Sequence, residues 1–168
     1  MDVILCHQTV DFDALGSAIG LSRLKQGAKI VLTGGAHPAV KKFLALYRDE
    51  FDFMELRSIT PEAIATIYIV DTQKSDRLGA AAEWFSLPNI QGIEVYDHHV
   101  DATSDIAVTK IHTEAVGAIT TYITELLQDQ DISLTPFEAT AMELGIHVDT
   151  GSLTFEQTTP RDARAIAW

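Results

Sequence analysis

Apolar, β-branched segments alternate with stretches of helical periodicity along almost the whole chain, and the segments end in acidic residues or histidines. Val3–Cys6 runs into His7-Gln-Thr-Val-Asp11-Phe-Asp13, Ile67–Val70 into Asp71, and Gly92–Tyr96 into Asp97-His98-His99, while a helical stretch delivers Asp149-Thr150-Gly151. Few architectures accept this pattern. Parallel strands need crossover connections, and crossovers place helices on the faces, so the alternation predicts an α/β domain with a mostly parallel β-sheet and helices on both faces. Ligands of such sheets bind beyond the carboxyl ends of the strands, where three of the four clusters fall.

In chain order, the periodicity predicts a strand at Val3–Cys6 and a helix from Ala14 to about Gln26, carried by Leu15, Ile19 and Leu24. A strand at Lys29–Leu32 follows, broken by Gly34-Gly35, then a helix opened by Pro38 through Tyr47 and a short strand at Met54–Leu56. Thr60-Pro61-Glu62 starts a short helix. Ile67–Val70 is the most strand-like run, followed by a helix over Arg77–Phe85, the strand Gly92–Tyr96 and an edge strand at Ile106–Ile111. Ala115–Leu127 reads as a long helix. Thr135-Pro136-Phe137-Glu138 is a capping box with proline at the first helical position, opening a helix to about His147. Thr159-Pro160 begins a last helix that stops at Trp168 with no capping glycine, as though the parent protein continued.

With 168 residues and no repeat or linker, a single domain over 1–168 is expected, and 46% hydrophobic composition supplies a core. No apolar run approaches the roughly 20 residues needed to span a bilayer, and the start lacks the basic region of a signal peptide. The lone Cys6 cannot form an internal disulfide, which fits a reducing, cytoplasmic location. Twenty-four acidic residues against twelve basic ones give a net charge of −12, with no basic cluster stronger than Lys41-Lys42. Long nucleic acid is therefore a poor partner; oligomeric state is left open.

Imidazoles combined with several carboxylates suit divalent metals, and more carboxylates than one ion needs points to two ions. A His-x3-Asp-x-Asp loop presents three side chains to one small volume, although Asp13 also stands where a helix starting at Ala14 needs its N-cap. Asp149 at a helix C-terminus calls for a cation nearby. Four separate explanations, one per cluster, are a poorer account than one dinuclear site. Cys6 adjoins His7 on an extended strand, where successive side chains point apart, so a Cys–His dyad is badly placed. His37 and His112 offer contacts to a substrate phosphate, and Lys74 and Arg77 after Asp71 offer cations for one, but loop or strand-end histidines and solvated loop charges are the simpler readings; His147, two residues before Asp149, could support the ligands.

The series His7…Asp11-x-Asp13, Asp71, Asp97-His98-His99 and Gly145-Ile-His-Val-Asp149-Thr-Gly151 resembles the motifs of the DHH phosphoesterase superfamily across nearly the whole chain. The resemblance implies a Mn²⁺-dependent hydrolase of phosphodiesters or phosphoanhydrides, with Mg²⁺ or Co²⁺ as alternative ions. That superfamily includes nanoRNases, single-strand exonucleases, cyclic-dinucleotide phosphodiesterases and family II pyrophosphatases. Carried over by motif, His7 and Asp11 hold one ion, Asp13, His98 and Asp149 the other, and Asp71 bridges them. His99, with Thr150 and Gly151, faces the substrate, and Asp97 orients the histidines. Asp11-Phe-Asp-Ala-Leu-Gly16 and Pro38-Ala-Val-Lys-Lys-Phe-Leu-Ala-Leu46 look most like the DHH module fused to CBS domains and a tRNA nucleotidyltransferase/poly(A) polymerase-type module. Gln8-Thr9-Val10 departs from the Asn-Pro-Asp-type loop of nanoRNase-like members, and the companion DHHA1 domain is absent. The expected substrate is a small nucleotide or short oligonucleotide.

Two other classes compete. A non-catalytic nucleotide- or metal-binding module of a larger tRNA nucleotidyltransferase/poly(A) polymerase-type protein would keep the fold, but the ligand set here is intact. A phosphatase working through an aspartyl phosphate would use Asp11-x-Asp13 and need neither His7 nor Asp97-His98-His99.

Overall fold

The computed structural model describes all 168 residues. Its strands are β1 (Asp2–Cys6), β2 (Thr9–Val10), β3 (Lys29–Leu32), β4 (Gly35–Ala36), β5 (Phe53–Glu55), β6 (Thr66–Val70), β7 (Gly92–Asp97) and β8 (Lys110–Thr113). Its α-helices are α1 (Phe12–Leu24), α2 (Pro38–Tyr47), α3 (Ile119–Asp129), α4 (Pro136–Asp149) and α5 (Pro160–Ala167). Six strands form one sheet in the order β5-β3-β1-β6-β7-β8, and every neighbouring pair is parallel. Relative to chain order, strands are added outward from β1 in one direction and then, from β6, in the other. The order thus reverses between β1 and β6, and the carboxyl ends of those two strands deliver His7 and Asp71 to one crevice.

The pleat sorts the sheet's side chains into two cores. Ile4, Cys6, Ile30, Tyr68 and Tyr96 face α1, α3 and α4 in the larger one, with Leu15, Ile19, Ile119, Ile123 and Met142. Val3, Leu5, Val31, Ile67, Ile69 and Val95 face the other side. That side carries no long α-helix. Its cover is the 3-10 segment Ser75–Ser86, through Leu78, Ala81 and Trp84, together with Ile59, Ile64 and Ile106. The expected helix at Arg77–Phe85 is this 3-10 segment, broken at Gly79, whose φ of 56° and ψ of −134° suit glycine alone.

Other differences are local. The short helix after Thr60 is a single 3-10 turn, Pro61–Ala63. The edge strand is β8 rather than Ile106–Ile111, and Ile106 packs into the core from a loop. The helix expected from Ala115 begins at Ile119: Ala118 is extended, and the N–H of Gly117 before it is taken by the Asp162 carboxylate. Two-residue strands β2 and β4 pair in parallel as a separate ribbon, which periodicity cannot detect at that length. No helix is long and apolar enough to cross a membrane.

Candidate metal centre

Asp11 is the N-cap of α1, its carboxylate accepting the Ala14 N–H at 3.0 Å. Asp13, for which capping of α1 is the alternative to metal binding, caps a different helix. Its two carboxylate oxygens accept the N–H groups of Ile119 (2.8 Å) and Thr120 (2.9 Å), so it caps α3 across a separation of more than a hundred residues. The positive end of α3 stabilises the carboxylate there. Thr120 adds a hydroxyl bond to the Asp13 carbonyl at 3.1 Å, tying the start of α1 to the start of α3.

Glycine brings α4 to the same place. A Cβ on Gly145 would stand 2.8 Å from the Phe12 carbonyl oxygen and 2.9 Å from Thr120 Oγ1, and one on Gly16 would stand 2.9 Å from the Ala141 carbonyl. Only bare backbone lets α1 and α4 pack this tightly, and Asp149, one turn after Gly145, is thereby carried to the mouth of the sheet. Asp71 sits at the end of β6 with φ of 58°, an uncommon conformation for a side chain-bearing residue and a form of strain typical of functional sites. Its N–H still bonds the Tyr96 carbonyl at 2.9 Å, so the strained residue is fixed to β7.

These elements assemble three groups of atoms that could hold a metal. Asp71, Asp97, His98 and His99 form one; the other two, which share Asp71 as a neighbour, are His7, Asp11 and Asp71, and Asp13, His98 and Asp149. His7 Nε2 lies 3.2 Å from Asp71 Oδ2 and 3.5 Å from Asp11 Oδ2. His98 Nε2 lies 3.5 Å from Asp71 Oδ1, 3.5 Å from Asp149 Oδ2 and 3.7 Å from Asp13 Oδ2. Asp71 thus faces both groups, one oxygen to each. His98 Nδ1 is 3.2 Å from the Val116 carbonyl, which can only accept, so the proton resides on Nδ1 and Nε2 is the free ligating nitrogen. Asp71 Oδ1 and His98 Nε2 are buried with no hydrogen-bond partner, although burial normally demands one. A divalent cation satisfies both atoms, and the oxygen and imidazole donors fit Mn²⁺, Mg²⁺ or a related ion.

The electrostatics describe the same demand. Burial disfavours a charged His7, yet the Asp11 and Asp71 carboxylates outweigh it and raise its pKa to about 9. Burial likewise opposes a charged His98, and Asp71, Asp13 and Asp149 raise it to about 10. Asp149 is pushed up to about 6 by burial and then by Asp71 and Asp11. Burial drives Asp13 well above the carboxylate range, reinforced by Asp71 and Asp149 and opposed by His98 and the Thr120 donor. Each of these shifts favours uptake of a proton, the positive charge that a bound cation would supply instead.

His99 is exposed, and its Nδ1 bonds Asp97 Oδ1 at 2.7 Å, which leaves Nε2 free. Asp97 also accepts the His98 N–H at 3.0 Å, and it receives Gln73 Nε2 at 2.8 Å. Burial would raise the Asp97 pKa, but the His99 and Gln73 hydrogen bonds outweigh it and lower it. Gln73, which also reaches the His99 carbonyl at 2.9 Å, is an orienting residue that sequence reasoning missed. Asp162 is another. Fully buried, it accepts the Gly117 N–H, the Thr121 hydroxyl at 2.6 Å and the Thr159 N–H, fixing the loop that leads into α3.

Thr150 is fully buried, its hydroxyl donating to the Ile146 carbonyl at 2.6 Å and accepting the Leu153 N–H at 3.1 Å. Its side chain therefore shapes the turn after α4. Gly151 begins a run of three left-handed residues with Ser152 and Leu153, packed under the Phe155 ring. His37 caps α2, His147 lies 3.6 Å from Glu143 on the α4 surface, and His112 stacks on Tyr96, so none belongs to the centre. Cys6 is buried, its thiol pushed up first by burial and then by Asp11 and Asp71, and it is no nucleophile.

The chain is 37% identical over its full length to the A-adding tRNA nucleotidyltransferase of Geobacter sulfurreducens, of which it spans 19%. It is 31% identical, over 90% of its length, to the cyclic-di-AMP phosphodiesterase GdpP of Geobacillus thermodenitrificans, and spans 25% of that protein. It superimposes with a TM-score of 0.78 on an exopolyphosphatase-related protein of Bacteroides fragilis, at 18% identity, covering 99% of this chain and 51% of that one. The model of the DHH family, N-terminal domain, matches residues 3–146, and the chain belongs to that family.

Proposed function

We propose that the chain is a metal-dependent phosphoesterase domain holding two divalent cations, Mn²⁺ foremost, that hydrolyses a phosphodiester or phosphoanhydride of a small nucleotide or short oligonucleotide. One observation carries this reading: Asp71 is shared between two ligand groups, with one oxygen 3.2 Å from His7 and the other 3.5 Å from His98. His7, Asp11 and Asp71 would hold one ion, and Asp71, Asp13, His98 and Asp149 the other. Such ions, when bound, acidify a water and neutralise charge on the phosphoryl oxygens. Asp97, held by Gln73, would keep the His99 ring turned so that Nε2 meets the substrate phosphate, and its hydrogen bond raises the His99 pKa, which favours the ring as a donor. Gly151 lets backbone approach the same edge. Cys6, buried in the core, is not available as a covalent nucleophile. A phosphate release assay with Mn²⁺ on pyrophosphate, short oligonucleotides, cyclic dinucleotides and adenosine 3′,5′-bisphosphate tests the reading; turnover of at least one, abolished by chelation, is expected. A net charge of −12 predicts weak binding of long single strands with a shallow salt dependence.

The relationship to a tRNA nucleotidyltransferase supports a second reading, in which the domain binds metal or nucleotide without turnover inside a longer protein. Two bound ions with no hydrolysis across the panel would favour it.

A further inference from the structure

A cavity of about 220 Å³ opens beside the centre, lined entirely by polar residues: His7, Gln8, Thr9, Asp76 and Arg77. His7 belongs to both the cavity wall and the metal centre, so the two adjoin. We infer that Arg77 binds a second, non-reacting phosphate of the substrate in this cavity, while the reacting phosphate lies on the metal centre; the inference rests on the hydrolase reading above.

Arg77 is fixed there by its backbone. Its carbonyl accepts the Gln8 N–H at 2.7 Å, which clamps the Ser75–Ser86 segment onto the residue following His7. Leu78 is fully buried next to it, and Gly79, with φ of 56° and ψ of −134°, turns the chain in a conformation that suits glycine. The backbone is anchored on both sides of an exposed guanidinium.

The guanidinium itself is left available. Arg23, Arg57 and Arg161 are each tied to a carboxylate, as an acidic surface makes easy. Lys74, the nearest other cation in sequence, gives its ammonium to the Thr103 carbonyl at 2.8 Å. Arg77 makes one long contact, 3.4 Å to the Asp71 carbonyl oxygen, although Asp76 shares the cavity. Its remaining N–H donors suit a tetrahedral oxyanion, which a planar guanidinium can grip with two parallel hydrogen bonds. Charge balance points the same way. Two dications supply four positive charges against the five carboxylates of Asp11, Asp13, Asp71, Asp97 and Asp149, so an additional phosphate needs a cation from the protein. The ligand class is a compound with a phosphate adjoining the scissile bond, such as a diphosphate or a phosphorylated nucleotide.

Calorimetric binding to the Mn²⁺-loaded protein tests this without turnover. The probes are imidodiphosphate, whose P–N–P bridge resists hydrolysis, against orthophosphate, and adenosine 3′,5′-bisphosphate against adenosine 5′-monophosphate. Arg77→Gln should weaken the two-phosphate member of a pair on the order of tenfold or more beyond its effect on the one-phosphate member, the scale of one or two charge-assisted hydrogen bonds. Arg77→Lys should recover part of that loss. An effect on the adenosine pair alone identifies a nucleotide as the source of the phosphate; an effect on both pairs identifies the diphosphate group itself. Equal weakening within both pairs, no weakening, or loss of bound Mn²⁺ in Arg77→Gln would overturn the inference, the last by making Arg77 a support for Asp71. The expected selective loss in Arg77→Gln, with no hydrolysis of any phosphoester by the unaltered protein, would instead count against the hydrolase reading alone.

Discussion

Replacing Gly145 by alanine should damage stability and the metal centre together, although the change adds a single methyl group. The new Cβ would meet the Phe12 carbonyl oxygen at 2.8 Å, Thr120 Oγ1 at 2.9 Å and the Asp13 Cα at 3.3 Å. Two of these obstacles are backbone, so no rotamer change removes them. Thr120 can move only by giving up its 3.1 Å bond to the Asp13 carbonyl. Overpacking of this kind costs about 1–3 kcal/mol, and the broken hydrogen bond adds about 1 kcal/mol. Alanine's better helix propensity returns about 1 kcal/mol, which leaves a net loss of roughly 1–3 kcal/mol. In a domain of this size that lowers the melting temperature by roughly 2–12 °C. Relief of the clash requires α4 to back away from α1, and Asp149 moves with it, away from the His98 ring 3.5 Å distant. Mn²⁺ affinity should therefore fall as well. Thermal melts and Mn²⁺ titrations of Gly145→Ala check both effects, with Gly35→Ala as control, since its Cβ meets nothing closer than 3.8 Å. A Gly145→Ala protein with parental melting temperature and parental metal affinity would refute the close-packing explanation of how Asp149 reaches the site.

Other outcomes follow from the same geometry. Asp71→Asn should impair both ions because Asp71 is the shared ligand, whereas His99→Ala should keep the metal and lose most turnover; the reverse pattern in metal content and rate would overturn the assignments. Asp162→Ala should cost about 2–5 kcal/mol in chemical denaturation, because it strands the buried Gly117 N–H and removes the Asp162 half of the α5 capping box. Its carboxylate is held low, burial being outweighed by the Thr121, Thr159 and Gly117 donors, so this contribution is present at neutral pH and lost on acidification below about pH 4. Without metal, protonated His7 and His98 stabilise the fold below about pH 6.5, and that stabilisation is lost as pH rises through about 9 and about 10, while charging of Asp149 adds a penalty as pH rises through about 6. Saturating Mn²⁺ removes these protons, so the Mn²⁺-induced rise in melting temperature should be larger at pH 8 than at pH 6; an equal or smaller shift at pH 8 contradicts the ligand set.

The parts of the fold readable from sequence were those set by local chemistry. Thr135-Pro136-Phe137-Glu138 forms its capping box and opens α4, and the runs around Ile4, Ile30, Ile69 and Val95 form the central strands, where apolar residues face a core on each side. The clusters lie at strand and helix ends because an alternating parallel sheet puts its carboxyl ends on one edge. Tertiary pairings stayed hidden. Asp13 looks like a local cap, but its partners are the N–H groups of Ile119 and Thr120, and Asp162 holds Gly117 from 45 residues away. Those two carboxylates explain why α3 starts at Ile119 rather than Ala115. Gln73 gave no signal, since an amide beside an Asp-Thr turn becomes informative only once β6 and β7 lie side by side and Asp97 comes within 2.8 Å. The 3-10 cover of the second face was equally illegible, because Leu78, Ala81 and Trp84 are spaced about as closely for an α-helix as for a 3-10 helix.

Manganese stoichiometry tests the central claim most directly. Electron paramagnetic resonance during titration of the metal-free protein with Mn²⁺ reports free and bound ions, and reveals magnetic coupling between neighbours. Two ions per chain with a coupled spectrum are expected, and Asp71→Asn should lose the coupling. Saturation at one isolated ion, or no binding at all, would contradict a shared Asp71 and the two-ion hydrolase built on it.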